Sequence, residues 1–365
     1  MFQISPAMSL NIVIVYASAG SGHRRAAQAI YDCLKRGYPD INIIFIDILE
    51  YANLLFSSFY SQGYAFLVRR LKPIWAVTYW LTSLKCISWL FKLICRLNSQ
   101  RFINLLIKVQ PEIILSTHFF SSEVVAYLKQ KGNISSRLIT VITDFGVHPL
   151  WVIKHCDEYI VGSDSTRNRL IYRGIKSHKI SLLGTPIDSR FMTKYRQDKR
   201  PGVTSALVVT GIFGFSLIEK VVRLIYTELS LLVVCGNNKK LYNRLSQGRY
   251  RGVRVFGFTE EMPRLMSEVD FIITKPGGLT IAEAIAMDLP LIFIGSIPGQ
   301  ETENARILEG NGCAIVADNL SSLKSIVIDL KAHPERLDLM RENIYKFKKP
   351  DATEKICQFI MKDIK

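Results

Sequence analysis

Residues 11–30 read NIVIVYASAGSGHRRAAQAI, and the fold class turns on how this stretch divides. Asn11–Tyr16 is a short, apolar, β-branched run, the composition of a buried strand. From Ala26 onward, apolar residues recur at helical spacing, at Ala26, Ala27, Ile30 and Leu34. Between the two lie Gly20, Gly22 and His23. The order is therefore strand, glycine-rich turn, helix. Such a turn brings backbone N–H groups to a helix N-terminus, where the dipole favours an anion. The turn lacks the Lys-Ser/Thr ending of a P-loop and only partly fits G-x-G-x-x-G. Taken alone it is either an anion-binding turn that delivers His23 to a site or a structural turn whose histidine faces water.

The same alternation continues outward. Ile41–Ile48, Pro111–Thr117, Arg137–Thr143 and Glu158–Ser163 read as strands, and Ser121–Lys131 as a helix. Tyr195–Thr204 is polar and basic and holds Pro-Gly, which marks a boundary. A second series follows, with strands at Ala206–Thr210, Leu231–Cys235, Val253–Phe256, Asp270–Thr274, Leu289–Ile294 and Ala314–Val316. Buried strands separated by helices imply parallel sheets with crossovers. The expected class is α/β, with two Rossmann-like domains, residues 1–197 and 198–345. A helical segment, 346–365, is expected to pack back on the first.

Composition narrows the class. The 365 residues are 48% hydrophobic and 21% charged, so a globular chain is expected. MFQISPAMSLN lacks the basic start and apolar run of a signal peptide, and no 18 uncharged apolar residues occur in a row. The seven cysteines form no C-x-x-C pair, which argues against a disulfide framework or zinc site and fits a reducing cytosol. The net charge is +16, and residues 1–200 carry +14 of it. Residues 51–110 hold eight basic side chains, many aromatics and no acid. Arg69, Arg70, Lys85, Lys92 and Arg96 lie there with Trp75, Trp80 and Trp89. Read as one helix, Ile74–Arg96 has a stripe of Lys85, Lys92 and Arg96 beside an apolar surface, which suits an anionic membrane interface. The alternative is a core helix whose lysines reach solvent. No nucleic-acid-binding signature appears, so a nucleic-acid partner is not expected.

Three segments carry candidate chemistry. In TKPGGLTIAEAIA (274–286) a strand ends, Pro276-Gly277-Gly278 turns, and Thr280 opens a helix. Free N–H groups at Gly278, Leu279 and Thr280 can hold a diphosphate without metal. Glu283, three residues after Thr280, is either a capping-box partner or a carboxylate for ribose hydroxyls. In PGQETENA (298–305), Gln300, Glu301 and Asn304 either offer amides and carboxylates to a hexose or supply acids to a helix start. In TDFGVHPLW (143–151), Asp144 and His148 follow a buried strand, as a general base with its orienter or as a structural pair. His118 has the same ambiguity.

Together, SAGSGHRRAAQAI (18–30), TDFGVHPLW, LGTPIDSRF (183–191), TKPGGLTIAEAIA and PGQETEN resemble the monogalactosyldiacylglycerol synthase and processive diacylglycerol glucosyltransferase family, which is related to the peptidoglycan lipid-intermediate N-acetylglucosaminyltransferase. The motifs occur in the family's order over about residues 11–345. The resemblance implies a GT-B fold with the active site between two facing domains. It implies a UDP-sugar donor (UDP-glucose or UDP-galactose), no cofactor, no metal, and diacylglycerol or glycosylated diacylglycerol as acceptor. The enzyme would sit peripherally on the cytoplasmic face of an anionic membrane. Glu283 would hold the ribose, Gly277–Thr280 the diphosphate, and Gln300, Glu301 and Asn304 the sugar. The backbone around Phe256 and Phe258 would lie near uracil, and Trp151 with the basic window near the acceptor. Gly211 belongs to TGIFGFS (210–216), which is poorer in glycine than the family's corresponding loop. His23 would be the base that deprotonates the acceptor hydroxyl, or else a phosphate ligand with Asp144 as base. Rival readings are N-acetylglucosaminyl transfer to a polyprenyl-linked acceptor, a UDP-N-acetylglucosamine 2-epimerase, and a nucleotide-binding membrane protein without turnover.

Overall fold

The computed structural model describes residues 11–18, 20–193, 204–209, 215–349 and 351–362. The boundary stretch 195–203 and Gly211 with most of its loop lie outside the described residues. Among the described residues, twelve strands form two parallel sheets. The first holds β1 (Asn11–Tyr16), β2 (Asn42–Asp47), β3 (Ile113–Ser116), β4 (Arg137–Ile142), β5 (Glu158–Val161) and β6 (Ile180–Leu182), in the order β2-β1-β3-β4-β5-β6. The second holds β7 (Ser205–Val209), β8 (Ser230–Val234), β9 (Val253–Phe256), β10 (Phe271–Thr274), β11 (Leu291–Ile294) and β12 (Ala314–Ala317), in the order β12-β11-β10-β7-β8-β9. This is the two-domain α/β architecture of the GT-B class.

Both faces of each sheet are covered, which is why the strands read as unbroken apolar runs. In β1, Val13 and Val15 pack with Ile46, Ile114 and Phe120. Ile12, Ile14 and Tyr16 face the other way, onto Ala27, Ile30 and Leu34 of the helix Ser21–Gly37. That second face is completed by Ile356, Cys357 and Ile360 of the helix Ala352–Met361. The strand order reverses between β1 and β3 in the first sheet and between β7 and β10 in the second. At such switch points the loops diverge and leave a crevice beyond the carboxyl ends.

Between β2 and β3 the chain makes a helical insertion. Its main members are Tyr64–Arg70, Lys72–Leu81, Lys85–Leu97 and Gln100–Val109. The single helix expected over Ile74–Arg96 is two, broken at Thr82–Leu84. The Thr82 and Ser83 hydroxyls donate to the carbonyls of Thr78 and Tyr79, competing with helix continuation, and Leu84 is extended. The basic stripe is also corrected. Lys92 Nζ lies 3.0 Å from Glu123 Oε2 and donates to the Val152 carbonyl, and Arg96 pairs with Glu123 Oε1. These two cations bind the insertion to the helix Phe119–Gln130. The side chains of Lys85 and Arg69 lie outside the described residues, and Arg70 is exposed.

Candidate active site

The two switch points face each other. The loop after β1 leads through Gly20 and Gly22 into the helix Ser21–Gly37, and a Cβ on Gly22 would lie 3.8 Å from Leu279 Cβ. The turn after β10 leads into the helix Gly278–Ala286. A Cβ on Gly278 would collide with the Thr143 carbonyl and meet Asp144 Oδ1 at 3.0 Å. Glycine at 278 is thus required by the approach of the other half.

The helix Gly278–Ala286 starts two residues earlier than the expected opening at Thr280, with Gly277 as its N-cap. No side chain caps it, so the Thr280/Glu283 capping box does not form. The N–H groups of Gly278, Leu279 and Thr280 form the first turn, which has no intrahelical acceptor. Glu283 is buried and pairs across the interface with Arg25, Nη2 to Oε1 2.5 Å. Burial pushes its carboxyl up to about 7, against the pull of Arg25.

His23 sits at the start of its helix with Nδ1 3.4 Å from Thr143 Oγ1, and its carbonyl accepts from Thr117 Oγ1 at 3.0 Å. The His118 ring packs edge-on against it, centroids 4.7 Å apart. Burial lowers the His23 pKa below the ordinary histidine value, while the Asp144 carboxylate partly restores it. Burial and His23 hold His118 well below that value too. Both rings are therefore neutral at neutral pH. His118 Nδ1 accepts from Phe120 N, which makes it the cap of the helix Phe119–Gln130.

Asp144 turns to the second half. Its Oδ1 accepts from Asn304 Nδ2 at 3.0 Å and its Oδ2 from Gln300 Nε2 at 3.1 Å. The expected Asp144–His148 pair is not formed. His148 Nδ1 accepts from Leu150 N, and Nε2 lies 3.1 Å from Ser83 Oγ and 3.2 Å from the Tyr79 carbonyl. Burial pushes its pKa down to about 4. His148 is an anchor for the insertion. Asn304 is likewise not a free ligand in this state: Oδ1 accepts from Phe145 N and Gly146 N, and Nδ2 also reaches the Pro276 carbonyl. It ties the halves together through a fully buried amide. Glu301 pairs with Lys275, and its Oε2 accepts from Ile297 N at 2.9 Å.

Phe256 ends β9 and Phe258 is exposed just beyond it. Three strand positions separate β9 from β10, about 14 Å at sheet spacing. Among the acceptor candidates, Trp80 and Trp89 are 62% and 63% exposed. Trp75 is half-buried, its Nε1 donating to the Pro298 carbonyl at 3.0 Å. Trp151, 1% exposed, is a core residue and no membrane contact, and its indole N–H has no acceptor among the described residues. Sequence reasoning missed Arg25, Thr117, Thr143 and Tyr79 as site residues. Only the two threonines carried a signal, their position at strand carboxyl ends.

Residues 23–187 match the family model described as monogalactosyldiacylglycerol (MGDG) synthase, and residues 207–356 match the glycosyltransferase family 28 C-terminal domain. Both bear out the resemblance read from the motifs. A relative from Staphylococcus epidermidis, a processive diacylglycerol beta-glucosyltransferase, is 27% identical over 96% of this chain and 92% of its own. The fold is similar to that of Acinetobacter baumannii MurG (TM-score 0.61, 14% identity, 97% of this chain and 99% of that one). It is also similar to Staphylococcus aureus MnaA solved with UDP (TM-score 0.60, 12% identity, 98% and 97%).

Proposed function

We propose that this chain, similar in its second half to the glycosyltransferase family 28 C-terminal domain and with a GT-B fold, moves a hexose from a UDP-sugar to diacylglycerol or a glycosylated diacylglycerol, inverting the anomeric carbon. One observation carries the reading: a neutral His23 from one half stands beside the uncapped N-terminus of the helix Gly278–Ala286 from the other. His23, held at Nδ1 by Thr143, takes the acceptor proton on Nε2 as the acceptor oxygen bonds to the anomeric carbon. The bond to UDP breaks on the opposite face. The charge left on the diphosphate meets the first-turn N–H groups and the helix dipole. Asp144 stabilises the imidazolium that forms. Phe256 and Phe258 border the uracil, Glu283 exchanges Arg25 for the ribose hydroxyls, and Gln300 and Glu301 contact the hexose.

The donor is UDP-glucose on this reading. The relative named for β-glucosyl transfer aligns with both halves, whereas the model named for galactolipid synthesis covers only the first. The acceptor comes from the membrane surface. The insertion exposes Leu54, Leu55, Phe59, Trp80, Trp89 and Leu97 among exposed cations, and its window 51–110 contains no acid. No helix among the described residues is long and apolar enough to cross a membrane. On this reading the exposed apolar side chains and cations of the insertion hold the enzyme on the membrane surface, at the cytoplasmic leaflet. A 2-epimerase needs no such surface.

The test is to incubate the purified chain with diacylglycerol in anionic vesicles and with UDP-glucose, UDP-galactose or UDP-N-acetylglucosamine, following lipid-soluble sugar. Glycolipid from UDP-glucose is the expected result. No product with any donor, from folded protein that binds the vesicles, would overturn the diacylglycerol acceptor in favour of a polyprenyl-linked one.

A further inference from the structure

The helix Lys72–Leu81 has two unlike faces. Ile74, Val77 and Trp80 are exposed. Trp75 and Tyr79, four residues apart and so on one side, point the opposite way. Trp75 Nε1 donates to the Pro298 carbonyl at 3.0 Å. The Tyr79 ring lies flush on Gly299, where a Cβ would meet ring carbons at 2.7–2.8 Å. Gly299 has φ +99° and is the N-cap of the helix Gln300–Gly310. Glycine is required there twice, by the left-handed backbone and by the tyrosine. At its C-terminal end the same helix is fixed to the first half, through His148 Nε2 at the Tyr79 carbonyl and Ser83 Oγ, with the Tyr79 and His148 rings 4.5 Å apart.

One short helix thus touches solvent on its apolar face, the first half through His148, and the loop that opens the helix of Gln300 and Glu301. We propose that Trp75 and Tyr79 are positioning residues for the Pro298–Glu301 segment, through which docking of the insertion on an anionic lipid surface sets the donor site. This rests on the reading above that the segment contacts the donor. Its chemical logic is that seating Ile74, Val77 and Trp80 in the lipid interface fixes the helix, and the fixed helix fixes the loop by one hydrogen bond and one ring face. Coupling of this kind is reciprocal: lipid tightens nucleotide binding by the same factor as nucleotide tightens lipid binding.

The experiment uses the full chain, UDP-glucose, and vesicles of phosphatidylglycerol with phosphatidylcholine and no diacylglycerol. Calorimetry gives UDP-glucose affinity with and without vesicles, and co-sedimentation gives vesicle affinity with and without UDP-glucose. The expected wild-type result is a several-fold gain of equal size in both directions. Trp75→Phe keeps the ring and removes the N–H, so the gain falls toward one. On vesicles its donor KM rises about fivefold, the loss of one hydrogen bond, with kcat changed less than twofold. Tyr79→Leu abolishes the gain by removing the ring from Gly299. A wild-type gain of one, or an undiminished gain in both variants, overturns the proposal. So does a fall in kcat and melting temperature with donor KM unchanged, the sign of a merely structural role. Because the binding measurements need no turnover, they stand even if no hexose reaches diacylglycerol.

Discussion

The two halves are built on one plan and differ at one place. Read from its far edge, the second sheet runs β9-β8-β7-β10-β11-β12, three strands outward in chain order and then three on the other side, the strand order of a dinucleotide-type domain. The first sheet runs outward only from β1 to β2 before the chain returns to β3. Where the second half goes on to a third strand, the first spends residues 48–112 on helices. Those helices carry the exposed tryptophans and lie in the acid-free window. One strand crossover of the nucleotide-type plan is replaced in the first half by an insertion with exposed apolar side chains, while the carboxyl ends of both sheets stay free to meet.

On the proposed function, the first half supplies the base and the second the leaving-group stabilisation. His23→Ala should lower kcat by about 10²–10⁴-fold, measured as glycolipid formed on vesicles, with vesicle co-sedimentation unchanged. An unchanged kcat would move the base to another group. The contact between the halves comes next. Gly278→Ala should destabilise the chain by about 1–3 kcal/mol in denaturant unfolding, because its Cβ strikes the Thr143 carbonyl. Gly277→Ala, one residue away with nothing within 4 Å of its Cβ, is the matched control and should cost less than about 1 kcal/mol.

Replacing Trp80 and Trp89 together by serine should weaken vesicle binding by about tenfold. Leu339→Ser, an exposed apolar residue of the second half, should not change it. Equal losses would erase the asymmetry between the halves. The smallest effect is on pH. Burial disfavours the imidazolium, so the acid limb of kcat/KM should lie below the ordinary histidine value of about 6.5. Asp144→Asn removes the charge that raises the His23 pKa, so the limb should move to still lower pH. A shift toward neutrality would contradict the assignment.

Most strands were legible because they are apolar, β-branched runs buried on both faces, the edge strands β2 and β9 being only partly buried. β6 was not, being three residues, ISL, with a serine at its centre. The carboxyl-end loops were legible too, and the structure brings three of their candidate residues, His23, Asp144 and Glu283, to the contact between the halves. What sequence could not supply were partners from far along the chain. Lys92 and Arg96 form a basic stripe in isolation, but Glu123, outside the acid-free window, claims both. The break at Thr82–Leu84 is secured by His148, some 65 residues away. Arg25 gave no sign of its role because Glu283 stands 258 residues later.

The helix Ala352–Met361 has a consequence for biosynthesis. Ile356, Cys357 and Ile360 finish the hydrophobic layer that Ile12, Ile14 and Ile30 begin, and Thr353 exchanges hydrogen bonds with both backbone groups of Ile187. On the ribosome the first half emerges early, yet its last core residues are made only after the whole second half. Until then the Ala27–Ile30 face lacks part of its cover. The apolar layer of the first half is therefore completed only after the second half has been translated, and the cover of the Ala27–Ile30 face is the last part of it to be made.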